Sequence, residues 1–326
     1  MQIFTEKEIR QYVDIDLETM NVVEEAFASL RTKKVEMPPI MRIDVKEHNG
    51  ELDVKSAYIP GLKYFAVKLS SGFFNNDELG LPSGNGLMLL LSSETGFPRA
   101  ILLDNGYLTH VRTAAAGAVS AKLLAKENIT TAGVIGTGAQ ARYQMIALQQ
   151  VRPFKQLRVC GRNYRKVEQF KQDMEALLKV EVVPTTSIEE VVKKSEVVVT
   201  TTPSETPLIK GDWLHPGIHI TAMGSDAEHK QELYPDVFLQ ADRIVCDVKS
   251  QCKRLGELHH AYDDGTISNQ TSITELGEIL TNEKSGRLSN QEITVCDLTG
   301  TGVQDTAIAI VAYEKLRKLA GITVGN

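Results

Sequence analysis

The sequence predicts an α/β protein: a doubly wound parallel sheet of the Rossmann type, joined to a second α/β domain with a largely antiparallel sheet. Three observations carry this prediction. Residues 130–142 read TTAGVIGTGAQAR, a short β-branched run, a glycine turn and a helix start. From residue 130 onward, strand-like and helix-like segments alternate, which implies a parallel sheet covered by helices. Before residue 104 the chain instead shows short apolar runs separated by turn residues, the pattern of an antiparallel layer.

Residues 14–33 place Leu17, Met20, Val23, Phe27 and Leu30 at helical spacing, and Pro38-Pro39 ends that region. Strand-like runs follow at 40–45, 52–59, 63–70, 86–92 and 98–103. Gly50, Pro60-Gly61, Gly80 and Thr95-Gly96 punctuate them. The alanine-rich segment 104–126 reads as one long helix. In the alternating region the expected strands are 131–135, 157–160, 181–183, 196–201, 217–222, 243–246 and 293–296. The expected helices are 140–150, 163–179, 187–194, 231–239 and 273–281. A last amphipathic helix over 303–320 packs back on the first domain, which divides the chain into 1–112 with 303–326 and 113–302.

The 326 residues carry a net charge of −6 with both signs interspersed. No basic stripe exists to bind nucleic acid, and no apolar run approaches the length of a membrane span. The opening MQIFTEKEIR lacks an apolar signal core, so a cytoplasmic protein is expected. Cys160, Cys246, Cys252 and Cys296 are scattered, with no CxxC pair, and read as thiols in a reducing compartment. His259-His260 are adjacent and do not share a helix face, so no metal is expected.

Gly136-Thr137-Gly138-Ala139-Gln140-Ala141 matches G-x-G-x-x-A. Gly136 permits the tight turn, Gly138 lets the backbone approach a pyrophosphate, and the helix N-terminus offers free N–H groups. After the second strand the sequence is Gly161-Arg162-Asn163, with no local carboxylate for a ribose 2′-OH. A guanidinium binds a 2′-phosphate by paired hydrogen bonds, so Arg162, with Arg165 and Lys166 close behind, favours NADP(H), with NAD(H) as the alternative; Asn163 is a further candidate cofactor contact.

Arg42 and Lys68 lie in otherwise apolar strand segments, and Arg112 lies in a small-residue helix. Three such cations favour an anionic substrate pocket over three solvated side chains. Asp226 follows the strand at 217–222, at the carboxyl end where α/β sheets bind ligands, and is a candidate proton donor or acceptor. Its other reading is a helix N-cap.

Taken together, LPSGNGLM (81–88), YLTHVRTAAAGAVSAKLLA (107–125), VIGTGAQAR (134–142), MGSD (223–226) and DLTGTGVQD (297–305) resemble the ornithine cyclodeaminase/μ-crystallin family over essentially the whole chain. The pattern is most similar to the ectoine-utilisation and iminosuccinate-reductase branch. The resemblance implies a homodimer formed by joining the sheets of the second domain. It implies that Arg42 and Arg112 hold a substrate carboxylate, that Lys68 contacts the substrate, and that Asp226 handles the proton at nitrogen. It places Gly136, Thr137, Gly138, Ala139 and Gln140 at the pyrophosphate and Ser83 and Thr113 near the cofactor phosphates. Thr201 and Met223 then line the nucleotide site, and the loop from Thr299 and Gly300 closes on the nicotinamide. One position departs from the cyclodeaminase pattern: Lys55 stands where those enzymes carry glutamate. As a substrate-binding residue it suits a second carboxylate, as in iminosuccinate.

The expected activity is NAD(P)H-dependent reduction of an α-imino acid to an amino acid, with a small carboxylate-bearing imino or amino acid as substrate. The alternatives are a cyclodeaminase that recycles NAD+ and releases ammonia, and a non-catalytic NADPH or small-molecule binder.

Overall fold

The computed structural model describes residues 1–319 and 322–323. The chain opens with β1 (Gln2–Thr5), α1 (Glu6–Ile9) and α2 (Leu17–Thr32). Strands β2 (Met41–Val45), β3 (Gly50–Ala57), β4 (Tyr64–Phe73), β5 (Gly84–Ser92) and β6 (Pro98–Leu103) follow, then helix α3 (Tyr107–Leu124). Next come β7 (Thr131–Ile135), α4 (Ala139–Val151), β8 (Gln156–Cys160), α5 (Tyr164–Leu178), β9 (Glu181–Thr185), α6 (Ile188–Lys193) and β10 (Val197–Thr200). The remainder is β11 (His219–Ala222), α7 (Val237–Gln240), β12 (Arg243–Cys246), α8 (Lys249–Cys252), α9 (Gly256–Asp263), β13 (Ile273–Glu275), α10 (Leu276–Leu280), β14 (Thr294–Asp297), α11 (Gly302–Leu316) and β15 (Ile322–Thr323). Two compact units result: Met1–Arg112 with the segment from Thr301, and Thr113–Gly300.

The first unit is built on a seven-stranded mixed sheet in the order β15-β1-β6-β5-β4-β3-β2. Only β1 and β6 run parallel; the other neighbours are antiparallel. Residues directly opposite on antiparallel strands point to the same face. One face therefore carries Ala57, Ala66, Met88, Leu90, Ala100 and Leu102, all buried. Helix α11 packs on this face at β3 and β4, and α2 packs against α11. The Thr306 hydroxyl clips α11 to the sheet, donating to the Ala57 carbonyl (2.7 Å) and accepting from the Ala66 N–H (3.0 Å). Gly302 makes this approach possible, because a Cβ there would stand 2.2 Å from the Ser56 carbonyl oxygen.

The opposite face is apolar and partly exposed. Met41, Ile43 and Leu103 are exposed, and Leu52, Val54, Val67, Leu69, Leu87 and Leu89 are half-buried.

The second unit is an eight-stranded, wholly parallel sheet in the order β13-β12-β14-β11-β10-β7-β8-β9. Alternate side chains feed two apolar cores. Ala132, Val134, Val197 and Val199 belong to one, and Ile135 and Val198 to the other. Strand order reverses between β7 and β10, which creates the crevice where such sheets bind ligands.

Two expected helices are corrected. In place of a helix over 231–239 there is only the short turn Val237–Gln240, because Pro235 cannot sit within the turn it would interrupt. The segment 273–281 splits into β13, which pairs with β12, and α10, which starts behind a Glu275/Glu278 capping box. No helix among the described residues is long and apolar enough to cross a membrane.

Candidate active site

In the first unit, sheet alternation carries charge onto the covered face. Lys55 on β3 stands directly across from Lys68 on β4, and both are buried. The Lys68 Nζ lies 3.1 Å from Asp305 Oδ2, and the Arg112 Nε lies 2.9 Å from Asp305 Oδ1. A single carboxylate on α11 thus bridges a lysine of β4 and an arginine of α3. Lys68 is 1% exposed and Asp305 is 0% exposed.

These charges are strongly coupled. Burial, reinforced by the Arg112 guanidinium, pushes Lys68 down to about 7 against the pull of Asp305. Burial also acts to raise Asp305, but Arg112 and Lys68 outweigh it and hold the carboxyl below its ordinary value. Arg112 is only 5% exposed, and among the described residues its terminal amino groups receive no protein partner; its one ion pair is through Nε. Guanidinium cannot shed its charge, so this geometry suits a planar, bidentate anion.

Arg42 is placed differently. Its guanidinium is engaged by Asp44 (2.9 Å), by Glu51 and by Asp53 (3.6 Å). Glu51 and Asp53 share the face of Lys55, four and two residues back along β3. Ser83 is half-buried just before β5, and its carbonyl accepts from the Phe73 N–H.

In the second unit, the turn after β7 has the form a dinucleotide requires. Gly136 has φ +114°, and a Cβ on it would stand 2.5 Å from the Thr201 hydroxyl, so the turn and the loop after β10 are in contact. A Cβ on Gly138 would meet nothing within 4 Å, so this glycine leaves open space rather than serving protein packing. Gly138 is the N-cap of α4 and makes no side-chain cap, so the first-turn N–H groups lack that partner. Ala139 and Gln140 begin the helix behind this opening, and Gln144 bonds both Gln140 and the Thr113 carbonyl. Thr137 is braced by Arg142, which donates to its carbonyl and pairs with Asp173 at 2.7 Å. These residues fit a pyrophosphate.

Arg162 is exposed directly after β8. Asn163 caps α5, accepting from the Lys166 N–H at 3.2 Å. Met223 is 9% exposed, and its N–H donates to Thr200. The Asp226 carboxylate pairs with Lys230 at 2.8 Å in the loop after β11. Thr299 and Gly300 are fixed by Asp247, which accepts from both N–H groups (2.9 and 2.8 Å), and by Gln251, which donates to the Thr299 hydroxyl (2.7 Å). His259 and His260 each bond a backbone carbonyl, of Lys253 and Lys230. The described residues contain no cluster of three metal-ligating side chains.

Sequence reading missed Asp305, although its signal is present: a lone carboxylate in VQDTAIAIVAY is as costly to bury as the lysine and arginine that were singled out. Asp247 and Gln251 carry no comparable signal.

Comparison with known proteins gives this arrangement a lineage. A protein of Sinorhizobium fredii described as an uncharacterized cyclodeaminase is 49% identical over 97% of this chain and 96% of its own length. The structure of Thermococcus litoralis Δ1-pyrroline-2-carboxylate reductase, in complex with NADH and L-proline, superposes with a TM-score of 0.94 at 30% identity, covering 99% of this chain and 100% of that one. An archaeal alanine dehydrogenase dimer with bound NAD superposes with a TM-score of 0.91 at 35% identity, covering 100% and 99%. The model of the ornithine cyclodeaminase/mu-crystallin family matches residues 1–319, and the chain belongs to that family.

Proposed function

We propose that this protein is a nicotinamide-dependent reductase of α-imino acids, working in reverse as an amino-acid dehydrogenase. The observation that carries the reading is the buried Lys68–Asp305–Arg112 group: a guanidinium paired at Nε, beside a lysine that burial pushes down to about 7.

Arg112 holds the substrate carboxylate, with its guanidinium paired to Asp305 at Nε. Lys68 carries the proton for the imine nitrogen, since a group near 7 both gives and takes protons at neutral pH. Asp226 is the candidate from the second unit for the same proton. Arg42 is the weaker clamp, because three carboxylates already engage it. Gly136, Thr137, Gly138, Ala139 and Gln140 would hold the pyrophosphate, with Thr113, Thr201, Met223, Thr299, Gly300 and Ser83 as further contacts. A bound nicotinamide nucleotide supplies the hydride. The exposed Arg162, with no carboxylate in Gly161-Arg162-Asn163, favours NADPH, although the two solved relatives carry NADH and NAD.

The partly exposed apolar face of the mixed sheet supports a homodimer, as does the dimeric state of the alanine dehydrogenase relative. Lys55, across from Lys68, supports a substrate with a second carboxylate, and a panel of mono- and dicarboxylate imines tests that.

A cyclodeaminase reading is favoured by the name of the Sinorhizobium relative. The lysine opposite Lys68, in place of glutamate, weighs against it. The experiment is NADH and NADPH oxidation with pyruvate or oxaloacetate plus ammonium, and with cyclic imines. Stoichiometric oxidation supports the reductase; ammonia release from a diamino acid without net nicotinamide change overturns it.

A further inference from the structure

The carboxyl edge of the parallel sheet contains a buried carboxylate that the reaction itself does not use. Glu232 is 0% exposed and lies in the irregular segment between β11 and α7. Its backbone is fixed from both sides. The carbonyl accepts from the N–H groups of Leu208 (2.7 Å) and Ile209 (3.0 Å), and its own N–H donates to Glu257 Oε1 at 2.8 Å.

The side chain reaches to the ends of two neighbouring central strands. Oε1 accepts from the Thr202 N–H (2.6 Å) and hydroxyl (2.7 Å), just beyond β10. Oε2 accepts from the Thr200 hydroxyl (2.5 Å) and from the Gly224 N–H (2.8 Å), just beyond β11. A carboxylate has about four lone-pair sites, and all four are filled. Gly224 is pressed into place: a Cβ there would stand 2.2 Å from the Thr202 carbonyl oxygen and 2.6 Å from Glu232 Oε2.

The two loops tied together in this way are those that carry Thr201 and Met223–Asp226. We propose that Glu232 is a positioning residue for the nucleotide site, setting these two loops as a single piece against the glycine turn after β7. Thr201 touches that turn, so a shift of the loop after β10 is transmitted to it. This inference rests on the reading that a nicotinamide nucleotide binds at the turn after β7.

An amide cannot replace this carboxylate. Glutamine offers one oxygen, which can serve Thr202 or Gly224 but not both, and its NH2 group opposes the N–H of the loop left over. Hydroxyls can rotate to accept from that NH2; a backbone N–H cannot. Glu232→Gln therefore releases one loop while keeping side-chain volume.

The test is direct titration of NADH and NADPH binding by fluorescence, with circular dichroism and melting as controls for folding. In Glu232→Gln the nucleotide Kd rises roughly 10- to 100-fold, the cost of leaving a buried backbone N–H unsatisfied. KM for the nucleotide rises with it and by more than KM for the imino acid, whose proposed carboxylate contacts Arg112 and Lys68 belong to the first unit. A purely structural role would lower the active fraction and leave both KM values unmoved. Thr202→Val removes one hydroxyl donor and keeps the fold, and raises Kd about fivefold. A folded Glu232→Gln protein with the parent Kd overturns the proposal. If that variant does not fold, an unchanged Kd in Thr202→Val overturns it instead. A parent protein that binds no nucleotide overturns both this proposal and the reading beneath it. A parent that binds NADH but reduces no imino acid refutes the reductase reading alone, and the titrations still decide the role of Glu232.

Discussion

Replacing Asp305 by asparagine removes the only anion among the described residues that pairs with both Lys68 and Arg112. At 3.1 Å and an effective dielectric constant of about 20, the attraction to Lys68 has a gross value of about 5 kcal/mol. The net cost of breaking a buried pair is about 3–5 kcal/mol, because the partner is left uncompensated. Two partners are left here, and they respond differently. Lys68 already titrates near 7 and relieves itself by losing its proton; Arg112 cannot. The destabilisation is therefore expected near the lower end, about 3 kcal/mol, which corresponds to a fall in Tm of about 6–12 °C for a domain of this size. The second signature is chemical. Losing the anion lowers the Lys68 pKa further, so the lysine is neutral at pH 7 and the fall of reductive kcat/KM with rising pH moves to lower pH. Calorimetry and a pH–rate profile measure both effects. An Asp305→Asn protein with the parent Tm and the parent pH profile would show that the carboxylate does not govern this group.

Other outcomes follow from the same geometry. In the parent, reductive kcat/KM should decline above about pH 7 as Lys68 deprotonates, and Lys68→Met should abolish that limb along with most of the activity. Arg112→Ala should cost about 2–5 kcal/mol of kcat/KM on carboxylate substrates, and Arg112→Lys should not restore it, because the paired hydrogen bonds are lost. Gly136→Ala should weaken nucleotide binding in a titration, since its φ of +114° and the 2.5 Å approach to Thr201 both exclude a side chain. Arg162→Ala should weaken NADPH but not NADH; equal losses for both would remove Arg162 from the 2′-phosphate.

Much of the fold was legible because its signals are local. The β-branched run, glycine turn and helix start at 131–142 form one contiguous unit, and the strands over 41–103 alternate between turn residues. The short elements were not legible. β1 offers only Ile3 and Phe4 as apolar residues, and it becomes a strand by pairing in parallel with β6, nearly a hundred residues away. Ile273–Glu275 is only three residues long and runs straight into α10, so its strand form becomes evident only from its pairing with β12.

The site divides along the same line. Lys68 and Arg112 stood out as charges in apolar surroundings, but the sequence could not distinguish Lys68, buried against Asp305, from Arg42, engaged by three carboxylates at an outer strand. That difference depends on strand register and on a helix about 240 residues further on. The Asn163 side-chain oxygen caps α5, a local use of the amide beside the expected cofactor contact. Glu232 had no signal at all, since its four donors come from the end of β10, from Thr202 just beyond it, and from Gly224 eight residues back in its own segment.

The most direct measurement is the absorbance of NADPH and NADH, followed in parallel with the purified protein. Pyruvate, glyoxylate and oxaloacetate would each be supplied with ammonium, alongside preformed cyclic imines. Oxidation in proportion to amino acid formed, lost in Arg112→Ala, is the expected result. Silence across the panel, with ammonia released from ornithine or diaminobutyrate and NAD+ at constant absorbance, would contradict it and make the protein a cyclodeaminase.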